Sequence, residues 1–232
     1  MNIILRNLKD LQKKQADAVV FVGDFTADGH RDALRIFKEK LAGCSVPAVV
    51  IPGNSDYRTP DTADDVRAMT SPLLTEIGNV NILSLADGEH CISEEAYALL
   101  DSADDHTVVC AHHPFGCMPG QHRSRLTTWR ESHPDVPLFF AHLHLAERQP
   151  DGSSILPAAD PDKNIGAPPA ISYYDTETKE LRPAYYHCPV PYDFAQYLAL
   201  SCRCTADVDY AVSRRLGCIE LRGGLLTEES LP

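Results

Sequence analysis

The sequence predicts a layered α/β fold, on three observations: short apolar runs that do not alternate, helix-length segments between them, and turn residues closing each run. The runs are Ala18 to Val22, Ala48 to Ile51, Thr107 to Cys110 and Pro137 to Phe140. Apolar throughout and rich in Val, Phe and Leu, they read as strands buried on both faces of a layered sheet. Between them, Arg31 to Leu41 places Ala33, Leu34, Phe37 and Leu41 on one face, with Gly43 positioned as a C-terminal cap. Thr62 to Ile77 and Arg123 to Ser132 read as further helices. Strands alternating with helices are the pattern of an α/β sheet covered by helices.

The stretch from Leu145 to Pro169 is dense in Pro, Asp, Gly and Ser and reads as a surface loop. Ala170 to Tyr174 and Leu181 to His187 then flank Asp175-Thr-Glu-Thr-Lys179 as a hairpin. The end of the chain reads as strand-helix-strand: Tyr197 to Cys202, a helix capped by Thr205, and Cys218 to Leu221. Two units are expected: a main domain over residues 1–192 and a C-terminal β-α-β extension over 193–232. The extension is similar, over fewer than forty residues, to the opening unit of a sugar-isomerase-type (β/α) barrel; a plain extension of the sheet edge fits the same pattern.

Bulk properties narrow the function. Of the 232 residues, 44% are hydrophobic and 23% charged, ordinary for a globular protein. A formal net charge of -12 argues against nucleic acid as a partner, because a phosphate backbone needs a basic face. It leaves a phosphate-ester small molecule open, since a bound metal brings its own positive charge. No apolar run approaches the roughly 18 residues of a membrane span, and Met1 to Arg6 lacks the pattern of a signal peptide. The eight cysteines include no Cys-x-x-Cys pair; Cys202 and Cys204 are the nearest approach to one. Scattered thiols of this kind suit a reduced, cytoplasmic setting.

The chemistry sits just beyond the strands. The four runs lead into Gly23-Asp24, Pro52-Gly-Asn-Ser-Asp56, Ala111-His-His-Pro114 and Ala141-His-Leu-His144. Ligand crevices of open α/β sheets lie outside the carboxyl ends of the strands. One crevice would thus receive Asp24, Asn54, His112 or His113, and His142 with His144. Singly each has a bland explanation: turn chemistry for Asp24 and Asn54, surface imidazoles for the rest. Together they form a mixed nitrogen and oxygen set suited to Mn, Fe or Zn.

In this order the four motifs resemble the signature of the calcineurin-like metallophosphoesterases, over about Gln15 to His187. The resemblance implies a four-layer αββα sandwich with two metals at the ends of two facing sheets. It implies that Asp24 bridges both metals, that Asn54, His112 and His142 complete the second, and that His144 serves the first. His112 is preferred to His113 by the family's His-x-Pro spacing; the residues alone allow either. His113 and Asp56 are the candidates for catalytic roles. The implied reaction is hydrolysis of phosphodiesters or phosphomonoesters by metal-activated water.

Two departures bear on that reaction. The family opens with a strand ending in Asp-x-His, which supplies the first metal. Here either Ile3 to Leu5 is that strand and Asn7-Leu-Lys9 a degraded motif, or Leu5, Leu8 and Leu11 mark the following helix and the motif is absent. The second reading is preferred, and both leave one strong metal position and one depleted position, held by Asp24 and His144. The other departure is Ser55, where many members carry a histidine that protonates the leaving group. The rival function is a non-catalytic interaction module that keeps the fold, as the retromer subunit built on it does. Arg58, Arg123 and Arg125 are candidate phosphate contacts, or else solvated surface arginines.

Overall fold

The structure is a computed structural model. It describes residues 16–44, 46–159 and 170–185, together with two short strand segments near the end of the chain. Strands β1 (Val19–Val22) and β2 (Ala48–Ile51) pair in parallel, joined by helix α1 (Arg31–Ala42). A second sheet has six strands: β3 (Leu74–Ile77), β4 (Val80–Ser84), β5 (Thr107–Ala111), β6 (Leu138–Phe140), β7 (Glu147–Arg148) and β8 (Ser154–Ile155). Their spatial order is β3-β4-β5-β6-β8-β7, parallel from β4 through β8 and antiparallel at both edges. Helix α2 (Ala63–Met69) leads from the first sheet to the second. Helices α3 (Glu94–Asp101) and α4 (Gly120–Ser132) make the β4–β5 and β5–β6 crossovers. An antiparallel hairpin, β9 (Ala170–Asp175) and β10 (Glu180–Tyr185), follows.

Side-chain alternation along the strands sorts the core into three clusters. Val50 of β2 packs with Leu34 and Phe37 of α1 and Val66 of α2. Its neighbours Val49 and Ile51 point the other way, onto Ile82, Val108, Cys110 and Phe139 of the six-stranded sheet. The far face of that sheet, with Leu83, Val109, Leu138 and Phe140, packs on Tyr97 and Leu100 of α3 and on Leu126 and Trp129 of α4. Helices, a sheet, a second sheet and helices is the order these contacts follow. Burial on both faces is why β2 and β6 carry no polar residue and β5 only Thr107, at its first position. Strand β1 is half-buried along its length.

Several elements differ from expectation. The segment from Thr62 to Ile77 is helical only to Met69; Thr70 caps it in an extended conformation. Pro72 disfavours helix in the residue before it, and Leu74 to Ile77 becomes β3. Helix α4 begins three residues before Arg123. The Leu145 to Pro169 stretch is not wholly loop, because β7 and β8 extend the sheet from within it. The hairpin at Asp175 forms with Glu180↔Asp175 as its closing pair. The N-terminal alternatives, and the expected strand and helix between Tyr197 and Leu216, lie outside the described residues. Near the end, β11 (Leu221–Arg222) and β12 (Leu225–Leu226) pair antiparallel. No helix among the described residues is long and apolar enough to cross a membrane.

Leu83 is fully buried while Leu74, on the edge strand β3, is the exposed large hydrophobic residue among those described. Leu83→Ala is therefore expected to cost about 2–5 kcal/mol, and Leu74→Ala less than about 1 kcal/mol. Urea denaturation midpoints of the two variants check the contrast.

Candidate metal centre

Two sheets deliver the site residues. Asp24 and Asn54 follow β1 and β2, whereas His112, His142 and His144 follow β5 and β6. Leaving the strands requires sharp turns, and Asp24, His142 and His144 all take positive φ, at 52°, 60° and 53°. Such conformations cost non-glycine residues on the order of 1 kcal/mol each, and the strain is concentrated here.

The slot between the sheets is made by missing side chains. A Cβ on Gly23 would overlap the His112 ring, and one on Gly53 would meet Asp24 and lie 2.7 Å from His112 Cε1. Into this slot the His112 imidazole is inserted fully buried, with Nδ1 3.1 Å from the Val22 carbonyl. The carbonyl accepts a hydrogen bond, so the ring proton belongs on Nδ1 and Nε2 presents a lone pair.

That nitrogen lies 3.1 Å from Asn54 Oδ1, 3.3 Å from His142 Nδ1 and 3.4 Å from Asp24 Oδ1. His142 Nδ1 is itself 3.1 Å from Asn54 Oδ1. Asp24 is oriented by the Ser55 amide, which donates to Oδ1 at 2.8 Å. Two imidazole nitrogens, an amide oxygen and a carboxylate oxygen thus converge, with more lone pairs than protons to separate them. A divalent cation of the Zn, Fe or Mn type fits that donor set. His144 lines the same cavity, of about 390 Å³, beside Asp24, Ser55, His112 and His142.

The other predicted residues are placed differently. Asp56 is fully buried; its Oδ1 accepts from the amide and hydroxyl of Thr26, and its Oδ2 from the Gly53 amide. Burial pushes its carboxyl up, and the bonds from Gly53 and Thr26 partly offset this. It ties the turn after β1 to the turn after β2. His113 is buried, with Nδ1 3.0 Å from Asp87 Oδ2 and with Nε2 lacking a hydrogen-bond partner. Arg123 donates to the carbonyls of Phe115, Gly116 and Met118, and Arg58 to that of Ala27. Arg125 Nη1 donates to both carboxylate oxygens of Glu94, and its guanidinium stacks over Tyr97.

Sequence reasoning missed Asp87 and His90. The Asp87 carboxylate accepts from the backbone amides of both His112 and His113, at 2.7 and 2.8 Å, besides the His113 ring. His90 lies with its ring centroid 4.2 Å from that of His113. The Asp-Gly of Asp87-Gly88 reads locally as an ordinary turn, and nothing in its spacing ties it to a strand end twenty-five residues later.

A family model described as calcineurin-like phosphoesterase matches residues 2–146. The chain belongs to that family. Calcineurin-like phosphoesterases are generally metal-dependent hydrolases with a divalent dinuclear site, and a cluster of three imidazoles able to hold an ion, His112, His113 and His142, is present among the described residues. Among solved structures, the TT1561 protein of Thermus thermophilus is similar at 16% identity and a TM-score of 0.51, covering 79% of this chain and 92% of that one. That likeness concerns the fold. The hypothetical protein PH1004 from Pyrococcus horikoshii is a weaker likeness, at 12% identity and a TM-score of 0.44 over 91% of each chain. No curated protein matches the chain significantly.

Burial, reinforced by His113 and His112, pulls His142 down to about 4. The unfolded imidazole titrates near 6.5. Between those values the unfolded chain holds a proton that the folded chain does not. In the metal-free protein this part of the stability is complete above about pH 6.5 and is lost as pH falls toward about 4. His142→Gln should flatten that decline in urea midpoints; an unchanged decline would show that His142 is not its source.

Proposed function

We propose that this chain is a metal-dependent phosphoesterase whose ion is held by Asp24, Asn54, His112 and His142, with His144 serving a second, weaker position. The observation that carries the reading is the convergence of four donor atoms from the ends of four strands, each within 3.1–3.4 Å of His112 Nε2 or of its neighbours. A divalent ion bound there supplies Lewis acidity, lowering the pKa of water and offsetting charge on phosphoryl oxygens. The ion is Mn, Fe or Zn, and the substrate a phosphate-ester small molecule that enters the cavity beside Asp24. Lys40 also lines this cavity. Asp56 acts by holding the two turns in register. Scattered free thiols, Cys44, Cys91, Cys110 and Cys117 among the described residues, fit a cytoplasmic setting.

Ser55 decides the substrate preference. It is buried at the cavity wall, and a hydroxyl cannot efficiently protonate a departing alkoxide near neutral pH. Leaving groups of low pKa are favoured for that reason, as in aryl phosphodiesters.

Two measurements test the proposal. Purification in Zn or Mn should yield close to one tightly held ion per chain, and Asp24→Ala should abolish it. Retention of the ion by that variant would remove Asp24 from the ligand set. Bis-(nitrophenyl) phosphate should be hydrolysed faster than an alkyl monophosphate, and Ser55→His should narrow the ratio. A chain that binds its ion yet hydrolyses neither ester, even at millimolar free Mn, would be a non-catalytic interaction module on the same fold.

A further inference from the structure

We propose that His113 is a third imidazole ligand beside His112 and His142, added to Asp24 and Asn54, so that among the ions named above the site favours Zn over Mn. The inference rests on the metal-binding part of the function proposed above, and it departs from the motif spacing, which assigns His112 alone from this strand end.

The first support is the state of the His113 ring. The side chain is 1% exposed, and Nδ1 lies 3.0 Å from a carboxylate oxygen of Asp87, which can only accept. The ring proton therefore sits on Nδ1, and the other nitrogen carries a lone pair. That nitrogen is buried and has no hydrogen-bond partner. Buried polar atoms are rarely left so, and one whose ring lies beside two other imidazoles is poised to bind a cation. The other such atom among the described residues, Thr75 Oγ1, is on an edge strand away from these rings.

The second support is distance. His112, His113 and His142 each offer a ring nitrogen such that all three lie within 4.8 Å of one another. The closest pair, His112 Nε2 and His142 Nδ1, is 3.3 Å apart. Nitrogens bound tetrahedrally at about 2.0–2.1 Å to one ion lie about 3.4 Å apart, the spacing that pair already has. Bringing the third nitrogen to the same spacing closes a separation of at most 4.8 Å by about 1.4 Å.

The third support is the arrangement behind the rings. Metal-bound imidazoles ordinarily donate their second ring N–H to a carboxylate or a backbone carbonyl, which fixes tautomer and orientation. His113 has Asp87 in that place and His112 has the Val22 carbonyl. Asp87 also holds the amides of both residues, so one carboxylate sets the backbone and one ring of this pair. A nitrogen-rich set of this kind selects borderline ions such as Zn²⁺ or Co²⁺ over Mg²⁺ and Mn²⁺.

The test loads the metal-free full chain with Co²⁺ and Zn²⁺ and counts coordinated imidazoles by X-ray absorption. Affinities of wild type and His113→Ala are compared by competition with a chelator. Three imidazoles on the wild-type ion, tighter binding of Zn²⁺ than of Mn²⁺, and a loss in the variant of at least about 10-fold are expected. Two imidazoles, with affinity in His113→Ala within about twofold of wild type, would overturn the trio and leave the phosphoesterase reading standing. A wild-type chain that binds neither ion would overturn both. If His113→Ala fails to fold, the imidazole count on the wild-type chain decides alone.

Discussion

The hydrogen bond between the His112 ring and the Val22 carbonyl joins the two sheets where the chemistry is concentrated. It forms only because positions 23 and 53 lack a Cβ, so that a ring from β5 can reach the turns after β1 and β2. Everything else at the centre is arranged around that ring. Asn54, Asp24 and His142 approach its free nitrogen, and Asp87 fixes the backbone on which it stands. A substituent at either glycine would displace the His112 ring as well as crowd a turn.

Two buried carboxylates divide the supporting work. Asp56 couples the β1 and β2 turns, and Asp87 couples the β4–α3 connection to the end of β5. Neither faces water, and each accepts three hydrogen bonds, which offsets the cost of burying its charge. Through Thr26 and Gly53, Asp56 braces the turns around Asp24, which stands at positive φ.

What the sequence made legible follows the strength of each local signal. β2, β5 and β6 are short apolar runs buried on both faces, and their reading needed no tertiary information. Strand-end motifs beyond them were legible for the same reason, since a His-x-His after such a run has a predictable place; Gly23-Asp24 follows β1, a run equally short and apolar though only half-buried. By contrast, β7 and β8 have two residues each, too few to show a period. The β3–β4 hairpin carried its Gly78-Asn79 turn openly, but the run before it continued a helical pattern that masked it. Ser93 caps α3, with Glu94 and Glu95 in the first turn, but the helix that follows has only eight residues and a short apolar face. Asp87 was out of reach, because its role depends on amides that only the folded sheet brings to it.

The site is assembled half from one sheet and half from the other, and this gives it a mechanical character. The two layers meet through apolar contacts in the middle cluster, where Val49 and Ile51 face Ile82 and Val108. Apolar contacts have no preferred direction and resist sliding only weakly. Polar groups at the rim, by contrast, have fixed lengths and angles. An ion gripped from both sides would act there as a rivet, setting the register of two surfaces that grease alone would leave free to creep.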